Sequence, residues 1–67
     1  MVKVLVSGYL GRMGTQVVKA VTESADMQIV AGFDLNAAAG SVTFNGEDIA
    51  PAFSDLQQAI DSTRPDV

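Results

Sequence analysis

The chain begins with a short, almost continuous apolar run that predicts a buried β-strand. Residues 2–7 read VKVLVS, with Val4, Leu5 and Val6 in succession. Such a run is typical of a strand covered on both faces, as in a parallel sheet. A second apolar run, MQIVAGFD at residues 27–34, predicts another buried strand that ends at Asp34.

From Gly11 onward the apolar period changes to that of a helix. This predicts an amphipathic helix of about four turns that ends near residues 23–26. The inward positions at helical spacing are Met13, Val17, Ala20, Val21 and Ser24. Strand, glycine turn, helix and strand together form one βαβ unit, whose strands pair in parallel through a right-handed crossover.

The second half of the chain predicts a turn and one more helix. Asn45-Gly46 is a two-residue hairpin signal, although an ordered loop with one tight turn fits equally well. Residues 35–40, LNAAAG, predict a loop. Residues 53–61, FSDLQQAID, predict a helix with a capping box from Ser54 to Gln57 and Asp55 in its first turn. Its apolar face is Leu56, Ala59 and Ile60.

Pro65 ends this helix, and residues 66–67 read as the start of a further strand. The whole order predicts an α/β fold: an incomplete Rossmann-type dinucleotide-binding domain over residues 1–67. A complete domain has about six parallel strands. We therefore expect the remaining strands and a substrate domain outside this chain, with a self-contained mini-domain as the alternative.

Three glycines between the first strand and helix carry the candidate chemistry. Gly8, Gly11 and Gly14 lie three residues apart, whereas the first two glycines of the common dinucleotide motif lie two apart. Gly8 suits a sharp turn, Gly11 lets a pyrophosphate approach the helix N-terminus, and Gly14 permits close helix–strand packing. The alternative is a tight turn without a ligand.

Asp34 supplies the acidic partner that such a turn requires. It lies 20 residues after Gly14, at the end of the second strand, where a carboxylate accepts hydrogen bonds from the adenosine ribose. Arg12 is a candidate phosphate contact. Leu35 and Asn36 are not basic, so we expect NADH to be preferred, with NADPH possible. The alternatives are a solvated Asp34 and a solvated Arg12.

Composition excludes several other functions. The chain has no cysteine and no histidine, which argues against disulfides and against a zinc site. A net charge of −4 argues against nucleic-acid binding. No apolar run approaches the roughly 20 residues of a membrane span, nor the core of a signal peptide. These features favour a cytoplasmic location.

Residues 2–21, VKVLVSGYLGRMGTQVVKAV, resemble the N-terminus of the dihydrodipicolinate reductase family. The strand followed by G-x-x-G-R-M-G carries the resemblance, and IVAGFD and RPDV agree with it. The resemblance implies that the ribose-binding acid is Asp34. It implies a cofactor loop of Gly8, Tyr9, Leu10, Gly11, Arg12 and Met13.

The resemblance also implies the reaction, which is hydride transfer from NAD(P)H to a cyclic dihydrodipicolinate-type substrate in lysine (diaminopimelate) biosynthesis. The family's catalytic histidine and lysine belong to a later domain, so no catalytic residue is expected here. Members with arginine directly after the acid accept NADPH well, and Leu35 departs from that pattern. A homotetramer is implied for the full-length protein.

Two rival functions remain open at this point. One is another Rossmann oxidoreductase, such as a homoserine or aspartate dehydrogenase, although these as a rule lack G-R-M-G. The other is a non-enzymatic NAD-sensing regulatory domain. Sequence beyond residue 67 would discriminate between them.

Overall fold

A mixed four-stranded sheet with two helices forms the fold in the computed structural model, which describes residues 1–36 and 40–67. The strand order is β1-β2-β4-β3. The chain order is β1 (Val2–Ser7), α1 (Arg12–Thr22), β2 (Met27–Phe33), β3 (Gly40–Phe44), β4 (Glu47–Phe53) and α2 (Leu56–Thr63). This confirms the partial Rossmann-type α/β fold. Of the predicted loop at 35–40, residues 35–36 form a turn and Gly40 begins β3, while residues 37–39 lie outside the described residues.

The first two strands form the predicted parallel pair, with one irregularity. Their register shifts between Val4, which lies opposite Ile29, and Leu5, which lies opposite Ala31. Val30 is thus an extra residue, a β-bulge. Because side chains alternate along a strand, the bulge places both Ile29 and Gly32 on the face that carries α1.

Helix α1 packs on the sheet through Gly14, Val18 and Val21. Met13, Val17 and Ala20 were predicted to face inward, and this was wrong, because each is exposed and the buried residue follows it by one position. Met13 is 79% exposed and Val17 43%. The turn before the helix brings the Gly14 backbone onto the sheet, and that contact sets which face is buried. The helix ends at Thr22, about three turns long rather than four.

The hairpin predicted at Asn45-Gly46 is confirmed. Asn45 has φ 53° and Gly46 has φ 81°, the positive values that the mirror-image two-residue turns need. Strand β4 also pairs in parallel with β2, where Gly32 lies opposite Ala52 and Phe33 opposite Phe53. The hairpin therefore extends the sheet at the edge of β2.

Helix α2 begins one residue later than the predicted capping box requires. Its N-cap is Asp55, whose Oδ1 accepts a hydrogen bond from the Gln58 N–H at 3.0 Å. The predicted cap at Ser54 was therefore wrong, because aspartate caps as strongly as serine and the helix starts at Leu56. Of the predicted apolar face only Ala59 is fully buried. Arg64, in the left-handed region, closes the helix before Pro65.

The end of the chain lies along the free edge of β1. The Val67 N–H donates to the Lys3 carbonyl at 3.2 Å, and the Val67 carbonyl accepts from the Leu5 N–H at 2.8 Å. Bonds from one residue to two alternate residues of its neighbour are the parallel pattern. This supports the prediction that a strand begins at residues 66–67.

The core on the α1 face consists mainly of valines, and Val42 is the largest side chain that is fully buried. Its buried members are Val4, Val6, Tyr9, Val18, Val21, Ile29 and Val42.

Replacement of the α2 cap gives a test of this assignment. We expect Asp55→Ala to destabilise the full-length protein by about 1 kcal/mol, because the Gln58 N–H loses its acceptor. The readouts are the urea midpoint and the amide exchange rate of Gln58. Ser54→Ala is the matched control and should change neither. Equal effects of the two substitutions would contradict the assignment of Asp55 as the cap.

Candidate functional site

The glycine turn between β1 and α1 is fixed to the end of β2. Gly8 has φ +72°, a backbone conformation that residues with a side chain rarely adopt, and this agrees with the sharp turn predicted there. Its N–H donates to the Phe33 carbonyl at 2.6 Å, and its carbonyl accepts from the Gly11 N–H at 2.9 Å. The turn is thus closed on itself and bonded to the neighbouring strand.

Gly14 brings α1 into close contact with this turn. A Cβ at Gly14 would overlap the Gly8 carbonyl oxygen and lie 2.7 Å from the Tyr9 Cα. Both neighbours are backbone and cannot move aside cheaply. Gly14 therefore packs closely, as expected, but its neighbours are the turn residues Gly8 and Tyr9 rather than the strand. A Cβ at Gly11 would lie 3.4 Å from the Gly8 oxygen, which is nearly ordinary contact.

The N-terminus of α1 presents unpaired N–H groups beside the turn. Gly11 is the N-cap and offers no side chain, and the first turn holds no acidic residue. Within the described residues, no hydrogen-bond acceptor engages the N–H groups of Arg12 and Met13, and both residues are exposed, whereas Gly14 is buried. These donors, the positive end of the helix dipole and the exposed Arg12 favour an anion.

The remaining side chains of the predicted cofactor loop divide between core and solvent. Tyr9 is only 9% exposed and its side chain belongs to the core cluster. Leu10 and Met13 are exposed beside the turn.

Asp34 follows β2 directly and lies next to the turn. Its N–H donates to the Phe53 carbonyl at 3.1 Å, and its Oδ1 accepts from the Asn36 N–H at 2.9 Å. This Asx turn was not predicted, although an aspartate directly after a strand is a residue that commonly accepts such a bond. A cleft of about 280 Å³ is lined by Ser7, Gly8, Phe33, Asp34, Leu35 and Asn36.

The fold therefore brings Gly8 and Asp34 to one cleft and leaves Arg12 at the adjoining helix start. A larger cleft, of about 460 Å³, lies between α1 and β3 and does not include Asp34. In residues 1–36 and 40–67, no cluster of histidine, cysteine or acidic side chains is suited to a metal ion. No helix in those residues has the length and apolarity needed to span a membrane.

Comparison with known proteins gives one consistent family. The family model described as "Dihydrodipicolinate reductase, N-terminus" matches residues 2–67. The chain itself, over all 67 residues, is 37% identical to the 4-hydroxy-tetrahydrodipicolinate reductase of Enterococcus faecalis and 39% identical to that of Methanoculleus marisnigri. It covers 26% and 25% of those proteins.

A Listeria monocytogenes protein of the same name is 35% identical over 68 residues, which cover 96% of this chain and 26% of that protein. The chain thus spans about a quarter of the length of its curated relatives. No solved structure matches it.

The contact at Gly14 predicts an unusual sensitivity to one methyl group. We expect Gly14→Ala to destabilise the full-length protein by about 2–3 kcal/mol, because the Cβ overlaps backbone that cannot repack. Gly11→Ala, the matched control, should cost less than about 1 kcal/mol. Urea unfolding of both variants measures the difference. Similar losses in the two variants would show that α1 does not press on the turn as described.

Proposed function

Because the chain belongs to the family of dihydrodipicolinate reductase N-termini, we propose that it forms the cofactor-binding part of a 4-hydroxy-tetrahydrodipicolinate reductase. Residues 1–67 form the first portion of its NAD(P)-binding Rossmann domain. The substrate domain and the catalytic residues belong to the rest of the protein. The family match and the fold of the glycine turn support this assignment.

The observation that carries the proposal is the open helix N-terminus at the turn. A pyrophosphate needs backbone N–H donors without side chains in the way. The N–H groups of Arg12 and Met13, which have no acceptor in the described residues, meet the first need, and Gly8 and Gly11 in the turn meet the second. The exposed Arg12 side chain adds a positive charge that an anion would neutralise.

Asp34 fits the role of ribose acceptor. The Asn36 N–H holds one carboxylate oxygen, which fixes the orientation of the group. Within the described residues, Oδ2 of Asp34 has no hydrogen-bond partner and is free to accept from ribose hydroxyls. Asp34 and Gly8 line the same cleft, which supports the proposal that one dinucleotide contacts both.

The same carboxylate favours NADH over NADPH. A 2′-phosphate on the ribose would meet the negative charge of Asp34, and such a phosphate is usually held by a nearby basic residue. The residue after Asp34 is Leu35, which is uncharged and 81% exposed, so it cannot hold such a phosphate. Arg12 is the candidate contact through which NADPH also binds.

In the proposed reaction, bound NADH supplies a hydride to a cyclic dicarboxylate. The residues of this chain bind the pyrophosphate and the ribose, and thereby orient the cofactor toward the substrate domain. Membership of the family further supports a role in lysine (diaminopimelate) biosynthesis, a cytoplasmic location and a homotetramer.

Activity of the full-length protein tests the function directly. With freshly prepared 4-hydroxy-tetrahydrodipicolinate, we expect the protein to oxidise NADH at a rate that depends on the substrate concentration. The loss of NADH absorbance measures the reaction, and omission of the substrate is the control. NADH binding without turnover would overturn the reductase assignment and favour the NAD-sensing domain.

The basis of cofactor choice is tested at one exposed position. Leu35→Arg should tighten NADPH binding by about tenfold, because a cation beside Asp34 offsets the repulsion of the 2′-phosphate. NADH affinity should change much less. Leu35→Gln, similar in length but uncharged, is the control and should leave the ratio of the two dissociation constants unchanged. Wild-type protein that binds NADPH much more tightly than NADH would contradict the proposed preference.

A further inference from the structure

We propose that the β3–β4 hairpin positions the glycine turn. Val42 on β3 and the Tyr9 ring of the turn both pack against Gly32, and Val42 thereby keeps the ring in place. The hairpin then sets the affinity for the dinucleotide without touching it. This inference rests on the proposed function of the turn and adds a positioning role for Val42 and Gly32.

The surroundings of Gly32 leave no room for a side chain. A Cβ there would overlap Cγ2 of Val42 and lie 2.8 Å from Cδ1 and 3.1 Å from Cγ of Tyr9. The Tyr9 ring and the Val42 side chain thus both rest on the backbone of β2 at this residue. The bulge at Val30 turns Gly32, rather than Ala31, toward them.

Val42 holds the other side of this contact. It is 1% exposed and lies in the same core cluster as Tyr9. The hairpin cannot shift freely, because β4 pairs with β2 at Gly32 opposite Ala52 and β3 pairs with β4 at Val42 opposite Ala50. The sheet therefore fixes Val42 relative to Gly32.

Tyr9 carries this constraint into the turn. Tyr9 lies between Gly8 and Gly11 in the sequence, so the packing position of its ring restricts the position of the turn backbone. The Gly8 N–H is bonded to the Phe33 carbonyl, and the Gly8 carbonyl meets the Gly11 N–H. Without the ring's support the turn would keep these bonds and the contact of Gly14 with the Tyr9 Cα, but it would lose the side chain that anchors it to β2. A less ordered turn binds more weakly, because binding must then order it.

A substitution in Val42 separates positioning from general packing. In the full-length protein, we expect Val42→Ala to raise the dissociation constant and the KM for NADH by about tenfold, with kcat changed much less. The matched control is Val21→Ala, which removes the same atoms from a side chain that is 5% exposed at the far end of α1. It should keep the wild-type affinity within about twofold, although it lowers the urea midpoint comparably.

Gly32→Ala should weaken NADH binding in the same direction as Val42→Ala, because the added methyl group displaces the Tyr9 ring. If Val42→Ala does not fold, Val42→Cys and Val21→Cys, which remove less volume, give the same comparison. Equal NADH affinities for the Val42 and Val21 variants would overturn the inference and leave the proposed function intact. Wild-type protein that binds no NADH would overturn the proposed function itself.

Discussion

The contact between Gly14 and the Gly8 carbonyl is the constraint on which the rest of this structure depends. It brings the first turn of α1 onto the backbone of the β1–α1 turn, where no side chain would fit. The same contact rotates the helix so that Val18 and Val21 follow Gly14 into the core. It also leaves the helix N-terminus open beside the turn. One backbone approach therefore orients α1 on the sheet, and it brings the N–H donors that any helix N-terminus leaves unpaired next to the glycine turn.

Strand β2 connects this contact to the candidate ribose site. The Phe33 carbonyl holds Gly8, and Asp34 is the next residue, so the acid necessarily lies close to the turn. The bulge at Val30 matters here because it decides which residues face α1. With regular alternation after Ile29, Ala31 and not Gly32 would share that face, and the Tyr9 ring would have no flat surface on which to rest.

The features predicted correctly from sequence are those with a local cause. Two apolar runs around a glycine turn indicate a βαβ unit, and Asn45-Gly46 indicates a hairpin because few dipeptides adopt two positive φ angles. The features that were missed depend on distant residues. The buried face of α1 follows from the Gly14 contact and not from the strongest apolar stripe, which includes the exposed Met13 and Val17. The pairing of β4 with β2 and the burial of Tyr9 likewise have no local signal, and the α2 cap was misplaced because Ser54 and Asp55 are equally good caps.

The spacing of the glycines explains why a longer turn need not be a looser one. Between Gly8 and Gly11 the chain has two residues, and the structure uses them differently: Tyr9 packs into the core and Leu10 stays exposed. The extra residue thus comes with a hydrophobic anchor inside the turn itself. The positive φ of Gly8 and the bond from Gly11 close the backbone around that anchor. Because the anchor lies on the core side of the turn, Arg12 and Met13 at the start of α1 stay exposed, and their N–H groups have no acceptor in the described residues. Such free donors are what an anionic cofactor requires.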